Sequence, residues 1–340
     1  MITVSVDVGR SSCKTAYFGK DKRRKSFFTY TDFATDYNLL AKSDMMAAYR
    51  GDRDGLEIIS SPYLSNGNPL SKLYLFGDFA NKIGEPSFFR ADESSVFHNV
   101  SVALILYSVA KVVQITGDKT VSLAINLTYS NYSYSAYYKD CLKGLHKIQL
   151  LDDRKTPVSF TVDRLYCLFQ GYSALFSFAK MPEVSNGSGV CIDIGKKTTD
   201  LSFVTDLSVT DSKTIDLGIM QVFDAVKTVC VKNRVNLSDR DLEAIVRNID
   251  KRGVIVMPDG SKIDVKSAFE SVVQSMYSRL KVVLDGFFGS KPIDYILFVG
   301  GGSIIFNKFS EGMKGYKVKV LSVEDPVMAN AYGMLDMIGS

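Results

Sequence analysis

Histidine is nearly missing from this chain: His98 and His146 are the only two in 340 residues. The five cysteines (Cys13, Cys141, Cys167, Cys191, Cys230) are odd in number and scattered, with no C-x-x-C pair. Together these residues offer no zinc-ligand spacing. No G-x-x-x-x-G-K-[ST] loop occurs, which excludes a P-loop nucleotide site, and the single glycine run, Gly300-Gly301-Gly302, is not a G-x-G-x-x-G dinucleotide fingerprint. Charge is also nearly balanced, with 41 basic against 37 acidic residues and a net charge of +4. A dedicated nucleic-acid binder needs a larger and more clustered basic excess. The densest basic run, Lys20 to Lys25, lies between two strand-like stretches and reads as a solvated hairpin turn. The chain opens on Met1-Ile-Thr-Val-Ser-Val without a basic leader, and its most apolar stretch, near Val102–Val113, reads as too short to span a membrane. A cytoplasmic location is the expectation. Four Asn-x-Ser/Thr matches (Asn126, Asn131, Asn186, Asn236) would matter only in a secreted chain.

An internal repeat organises the rest. Val4-Ser-Val-Asp7-Val-Gly9-Arg-Ser-Ser-Cys-Lys14-Thr-Ala-Tyr-Phe18 aligns without gaps on Val190-Cys-Ile-Asp193-Ile-Gly195-Lys-Lys-Thr-Thr-Asp200-Leu-Ser-Phe-Val204. Each copy reads as a strand ending in Asp, a tight polar turn permitted by Gly, and a second strand. Two copies imply two similar lobes, as does a length beyond the usual single core. Apolar runs at Lys119–Leu127 and Asp294–Val299 suit strands covered on both faces. Helical periodicity marks Val96–Thr116, Leu168–Ala179, Met220–Lys232, Ser238–Ile249, Val265–Phe288 and Pro326–Ile338. Short strands at Leu56–Ser60 and Leu73–Phe76, a hairpin around Pro258-Asp-Gly260, and a loop at Pro182–Ser188 fill the gaps. Strands alternating with helices argue for an α/β protein.

The repeated turns carry residue types that suit a phosphate tail. Gly9 and Gly195 permit close backbone approach. Ser11, Ser12, Thr198 and Thr199 offer hydroxyls, and Lys14 a positive charge. Asp7 and Asp193, at strand ends, suit a hydrated Mg²⁺, which takes one or two carboxylates and keeps several waters. The Gly300–Gly302 turn, after an apolar strand and before a helix-like segment, would let a backbone pass close to a base or ribose.

In that order (first hairpin, second hairpin, triple-glycine turn, closing helix) the chain resembles the actin/Hsp70/sugar-kinase superfamily. Within it, the chain resembles the bacterial plasmid-segregation actins, the ParM or StbA family. The two phosphate motifs match Asp7–Lys14 and Asp193–Asp200, and the adenosine motif matches Phe298–Ser303. Asp325-Pro-Val-Met-Ala-Asn330-Ala-Tyr-Gly333 matches the family's closing Asn-x-x-Gly helix. The Leu123–Tyr132 segment and the Leu217-Gly218-Ile219 turn also have counterparts. The resemblance implies a two-lobed actin-like (ribonuclease H-like) ATPase fold with a nucleotide cleft between the lobes. Lobe I would be 1–165 plus 325–340, with an insertion at 20–95; lobe II would be 166–324, with an insertion at 233–266. Asp7 and Asp193 would position Mg²⁺. Gly9, Ser11, Ser12, Lys14, Gly195, Lys197 and Thr198 would contact phosphates, and Gly301, Gly302 and Ser303 would line the nucleoside pocket. Asp241, Glu243 and Arg247 are weaker ribose or base candidates, on a helix where a solvated face is the favoured reading of all three.

One departure stands out. The family places a Glu or Gln near the start of the helix before the second hairpin, to orient the attacking water. Here that region reads Asp163-Arg-Leu-Tyr166-Cys-Leu-Phe-Gln170-Gly-Tyr172, with Tyr166 at the Glu position, and Gln170 is assigned the role. Lys196-Lys197 also replaces the small residues usual in the second turn. The resemblance implies an ATPase, taking ATP or GTP with Mg²⁺, that forms head-to-tail filaments and works through a DNA-bound adaptor at a plasmid centromere, without touching DNA itself or a membrane. The alternative on the same fold is a small-molecule kinase, for which the expected zinc motif or inter-lobe catalytic Asp is not found. An Hsp70-like chaperone would need a further substrate domain, and a membrane-tethered relative a terminal amphipathic anchor.

Overall fold

The computed structural model describes residues 1–35, 49–83, 94–152, 156–237, 241–242, 245–246, 253–256, 260–288, 292–306, 318–321 and 323–339. The chain divides into two compact units, Met1–Ser177 with Asn330–Ser340, and Phe178–Ala329. These divisions fall later than the lobe limits of 165 and 324 read from the sequence.

In the first unit, β1 (Ile2–Val8) and β2 (Ser12–Phe18) form the first hairpin, and β3 (Arg24–Tyr30) continues it antiparallel across the basic turn. On the other side of β1 lie β7 (Thr120–Leu127) and β9 (Val158–Phe169), both parallel to it. β8 (Gly144–Leu150), β5 (Gly55–Ser60), β6 (Leu73–Phe76) and β4 (Phe33–Thr35) extend the sheet to nine strands, in the order β3-β2-β1-β7-β9-β8-β5-β6-β4. In the second unit, β10 (Ser188–Ile194) and β11 (Thr199–Thr205) form the second hairpin and β12 (Ser208–Ile215) follows antiparallel. β15 (Tyr295–Val299) and β16 (Lys319–Leu321) lie parallel on the far side, giving β12-β11-β10-β15-β16. That order and sense reproduce β3-β2-β1-β7-β9, so the repeat extends from two hairpins to two five-stranded cores. A small hairpin, β13 (Val254–Val256) with β14 (Lys262–Asp264), stands where the Pro258-Asp-Gly260 turn is expected; 257–259 lie outside the described residues.

Helices pack on each sheet, and the long one of the first unit is buried on all sides over 98–110. Helix Ser94–Thr116 packs on β1, β2, β8 and β9, with Val100, Leu104, Ile105, Val109 and Val112 in the first core. It is longer than the apolar stretch suggested, and Val96–Thr116 would suffice by length and composition to cross a membrane; most of it is buried within this core instead. In the second unit, helices Met220–Lys232 and Lys266–Phe288 pack together, burying Val222, Val226, Met276 and Leu280. Each fully buried aliphatic side chain of this kind contributes about 1.5–3 kcal/mol relative to exposure.

Two sequence expectations are corrected. Leu168–Ala179 is not a helix: β9 runs to Phe169, pairing Leu127 with Phe169, and a 3₁₀ segment follows at Tyr172–Phe178. Gly171, at φ +78°, ends the strand in a backbone conformation that a helix cannot continue. Pro182–Ser188 is not a plain loop, because Pro182–Ser185 forms one helical turn, with proline at its first position, and Ser188 already opens β10. Most of the expected helix Ser238–Ile249, Glu243 and Arg247 included, lies outside the described residues; Asp241 is exposed.

Candidate functional site

The two hairpin tips have the same construction. Gly9 N–H donates to Ser12 O at 3.0 Å, and Gly195 N–H to Thr198 O at 2.9 Å. Both glycines and the three residues after each are half-buried. A Cβ on Gly9 would meet Lys14 Nζ at 2.7 Å, so the glycine gives the lysine its room. The strands run one residue beyond Asp7 and Asp193, to Val8 and Ile194, and both carboxylates are buried, at 1% and 2% exposure.

Each tip is held from behind through its carbonyls. Thr31 donates its N–H to Ser11 O (3.2 Å) and its hydroxyl to Arg10 O (2.8 Å). In the second unit Ile219 N–H donates to Gly195 O (3.1 Å) and Met220 N–H to Lys196 O (2.9 Å), while Thr199 Oγ1 donates to Leu217 O (2.6 Å). Gly218 is the residue that lets the turn approach, since a Cβ there would lie 2.3 Å from Lys196 O. Met220 opens a helix, so one of the orphan donors of a helix start is spent on the tip.

The charges across the two hairpins differ. In the first, Asp7 stands opposite Lys14, with Lys14 Nζ 3.2 Å from Asp7 Oδ2. Asp7 Oδ1 is buried without a hydrogen-bond partner. In the second, Asp193 stands opposite Asp200, and Thr214 Oγ1 donates to Asp200 Oδ1 at 2.5 Å. Burial pushes the Asp200 carboxyl up to about 6, against the Thr214 hydroxyl bond, which lowers it. Arg10 adds a further cation at the first tip, its guanidinium 4.4 Å above the Phe97 ring, with burial drawing its pKa below the ordinary value.

The glycine run sits against the second tip. Gly300 has φ +82°, and a Cβ there would lie 2.3 Å from Asp193 Oδ1 and 2.6 Å from Ile194 O. Gly302 N–H donates to Ile194 O at 2.9 Å, and its Cβ would lie 2.4 Å from Ile194 Cγ2. These two glycines are therefore required by packing onto the end of β10. Ser303 is fully buried and its hydroxyl donates to Gly300 O at 2.7 Å, so it closes the turn. Among the described residues, the helix that follows covers Ser303–Phe306.

Gln170 lies just past the end of β9, not at a helix start, with its N–H on Leu127 O at 2.9 Å. Tyr166 lies within β9, opposite Ala124. The closing helix Ala329–Gly339 fixes the turn after Gln170: Asn330 Oδ1 accepts from Gly171 N–H and from Ser173 Oγ, both at 3.0 Å. A Cβ on Gly333 would lie 2.0 Å from Ser173 O, which is why the helix carries glycine there.

The first hairpin thus brings Asp7, Gly9, Ser11, Ser12 and Lys14 together. The second unit gathers Asp193, Gly195, Lys197 and Thr198 beside Gly301, Gly302 and Ser303. Thr31, Arg10 and Asp200 belong to these tips and were not singled out from the sequence. Only Asp200 carried a signal there, as the repeat's counterpart of Lys14. Magnesium suits the donor set of the tips: it takes one or two carboxylates, and the partnerless Asp7 Oδ1 is an acceptor that a hydrated cation would satisfy. No group of three or more His, Cys, Asp or Glu forms among the described residues, so no all-protein metal cage is present there.

A fold of two such cores, each opening on an Asp-x-Gly hairpin, is that of the actin-like proteins. Residues 191–311 match the family model described as "Archaeal actin homologue MreB-like, C-terminal". The fold is similar to that of ParM: the structure of Bacillus thuringiensis ParM with ATP aligns with a TM-score of 0.74 at 16% identity, covering 100% of this chain and 99% of that one. Ta0583, an archaeal actin homolog, aligns at 0.72 and 17%, over 100% and 99% of the chains. The apo pSK41 ParM structure aligns at 0.70 and 15%, over 99% and 96%. No curated protein sequence matches the chain.

Proposed function

We propose that the chain is a ParM-type ATPase that binds Mg-ATP through both hairpin tips, polymerises head to tail, and uses the filament to segregate DNA. The observation that carries this reading is the double tip: the same Gly N–H to carbonyl closure occurs in both units, each beside a buried Asp. A single Asp-x-Gly hairpin is an ordinary turn; two built alike, in cores of one topology, suit one polyphosphate held from two sides.

In this reading Gly9, Ser11, Ser12, Lys14, Gly195, Lys197 and Thr198 bind phosphate oxygens, and Asp7 and Asp193 hold the metal and its waters. When bound, Mg²⁺ neutralises charge developing on the transferred phosphoryl group. Gly301 and Gly302 shape the nucleoside side by backbone alone, since the Ser303 hydroxyl is already committed to Gly300 O. In the same reading Gln170 orients the water; its N–H is held by Leu127 O and the turn after it by the Asn330 clamp on Gly171. The partners are further copies of the chain and a DNA-bound adaptor at a plasmid centromere, in the cytoplasm; the mild net charge agrees with no direct DNA contact. The ParM structures with ATP, AMPPNP and ADP support adenine nucleotides as the ligand class.

Light scattering on addition of ATP, with and without Mg²⁺, tests the proposal. Growth of scattering that needs both ligands and decays as phosphate is released supports it. ATP consumption that depends on an added metabolite, with no scattering, would favour a small-molecule kinase instead.

A further inference from the structure

Asn126 is an amide in the apolar strand Thr120–Leu127, TVSLAINL. It is 8% exposed, and its Nδ2 has no hydrogen-bond partner. Buried donors of this kind are rare in native proteins, and a bound water or ion is one reason for them. As an Asn-Leu-Thr match it also reads as a glycosylation acceptor, which its burial in β7 excludes for the folded chain.

The neighbouring strand supplies the complement. β1 and β7 run parallel and pair Val6 with Ile125; the next residues along them are Asp7 and Asn126. Residues side by side in a sheet project to the same face. Both stand near the carboxyl ends of parallel strands, where α/β sheets bind their ligands. Asp7 Oδ1 is also buried without a partner, its Oδ2 being taken by Lys14. One orphan donates and the other accepts, yet they do not bond to each other. A water molecule does both, accepting from the amide and donating to the carboxylate. The second unit shows that the fold does not require an amide here, because Val299 fills the equivalent place beside Asp193.

We propose that Asn126 and Asp7 hold one water between them, and that Asn126 acts beside Gln170, whose N–H is bonded to the adjoining Leu127 O, to position this water for attack on the terminal phosphate. This rests on the nucleotide-binding reading above. In the assisted step the water oxygen forms the new bond to phosphorus. The bond from phosphorus to the bridging oxygen breaks, and its electron pair stays on the departing diphosphate. The water's proton, held by Asp7 Oδ1, leaves with the phosphate product; nothing is oxidised or reduced.

The test uses the full chain and the variants Asn126→Leu and Asn126→Asp. Affinity for a fluorescent ATP analogue and single-turnover phosphate release are measured across pH. Asn126→Leu should bind within about threefold of the unmodified protein, melt no lower, and hydrolyse at least about tenfold more slowly. Asn126→Asp can donate only when protonated, so its hydrolysis should fall as pH rises, a profile that a purely structural role would not produce. If Asn126→Leu does not fold, the pH profile of Asn126→Asp decides. Normal hydrolysis by the leucine variant, or a flat aspartate profile, overturns the assignment of Asn126 while leaving nucleotide binding intact. Failure of the unmodified chain to bind the analogue overturns the underlying reading, and this one with it.

Discussion

Lys14 Nζ lies 3.2 Å from Asp7 Oδ2, across the register of the first hairpin, and the same register in the second hairpin sets Asp200 opposite Asp193. The repeat keeps one backbone geometry and divides the charges, placing a cation in one copy and a second carboxylate in the other. A polyphosphate with its metal needs both signs nearby.

Replacing Lys14 with Met keeps the length of the side chain and removes its charge. Asp7, 1% exposed, then stands buried without a counter-charge. Breaking one side of a buried pair costs about 3 kcal/mol. Denaturant unfolding should show a loss of that order, and ATP affinity should fall by at least about tenfold. An unchanged midpoint would mean that the pair is solvated.

Asp200 gives a pH signature in the nucleotide-free chain. Its folded-state pKa of about 6 lies above the ordinary 3.8, so the folded protein holds the proton more tightly than the unfolded chain. Stability therefore falls as pH rises from about 3.8 to about 6, and the penalty persists above that. Asp200→Asn keeps an acceptor for Thr214 and removes the penalty. Its stability advantage should be near zero at pH 3.5 and approach about 3 kcal/mol at pH 7. A difference that is constant over this range contradicts the burial argument.

Gly300→Ala should be far more damaging than Gly117→Ala, although both glycines have positive φ, +82° and +79°. The backbone conformation alone costs about 1–3 kcal/mol for a residue with a side chain. At Gly117 nothing lies within 4 Å of the added Cβ, whereas at Gly300 the Asp193 carboxylate and Ile194 carbonyl stand in its way. Melting curves of the two variants separate strain from collision. Equal losses would show that Asp193 moves aside freely.

The hairpins and the two-core architecture were legible because their signal is local: apolar alternation, an Asp, and a glycine at the turn, written twice. Helix Met220–Lys232 was legible for the same reason, with an apolar stripe bounded by Gly218 and Asn233. Leu168–Ala179 misled because its apolar spacing mimics a helix, while the decision is made by pairing with β7, a long-range contact. The role of Gly300 and Gly302 was hidden likewise. Their partner is the end of β10, more than a hundred residues away in sequence, so glycines that suggested ligand approach are first of all packing residues. Asn126 was visible as a polar residue in an apolar run, but only the register with β1 places it beside Asp7.

Asn330→Ala removes the acceptor shared by Gly171 N–H and Ser173 Oγ. Leaving such buried donors unsatisfied costs about 1–3 kcal/mol. Gln170 precedes this turn, so ATP turnover should drop more than ATP affinity does. Equal losses in both would show that the clamp supports binding alone.

The most direct test is calorimetric titration of Mg-ATP into the chain and into Asp7→Asn and Asp193→Asn, substitutions that keep the size of the side chain and remove its charge. One nucleotide per chain, with binding weakened at least about tenfold by either substitution, is the predicted result. Two independent sites, or full affinity in either variant, would contradict a single nucleotide held by both hairpins.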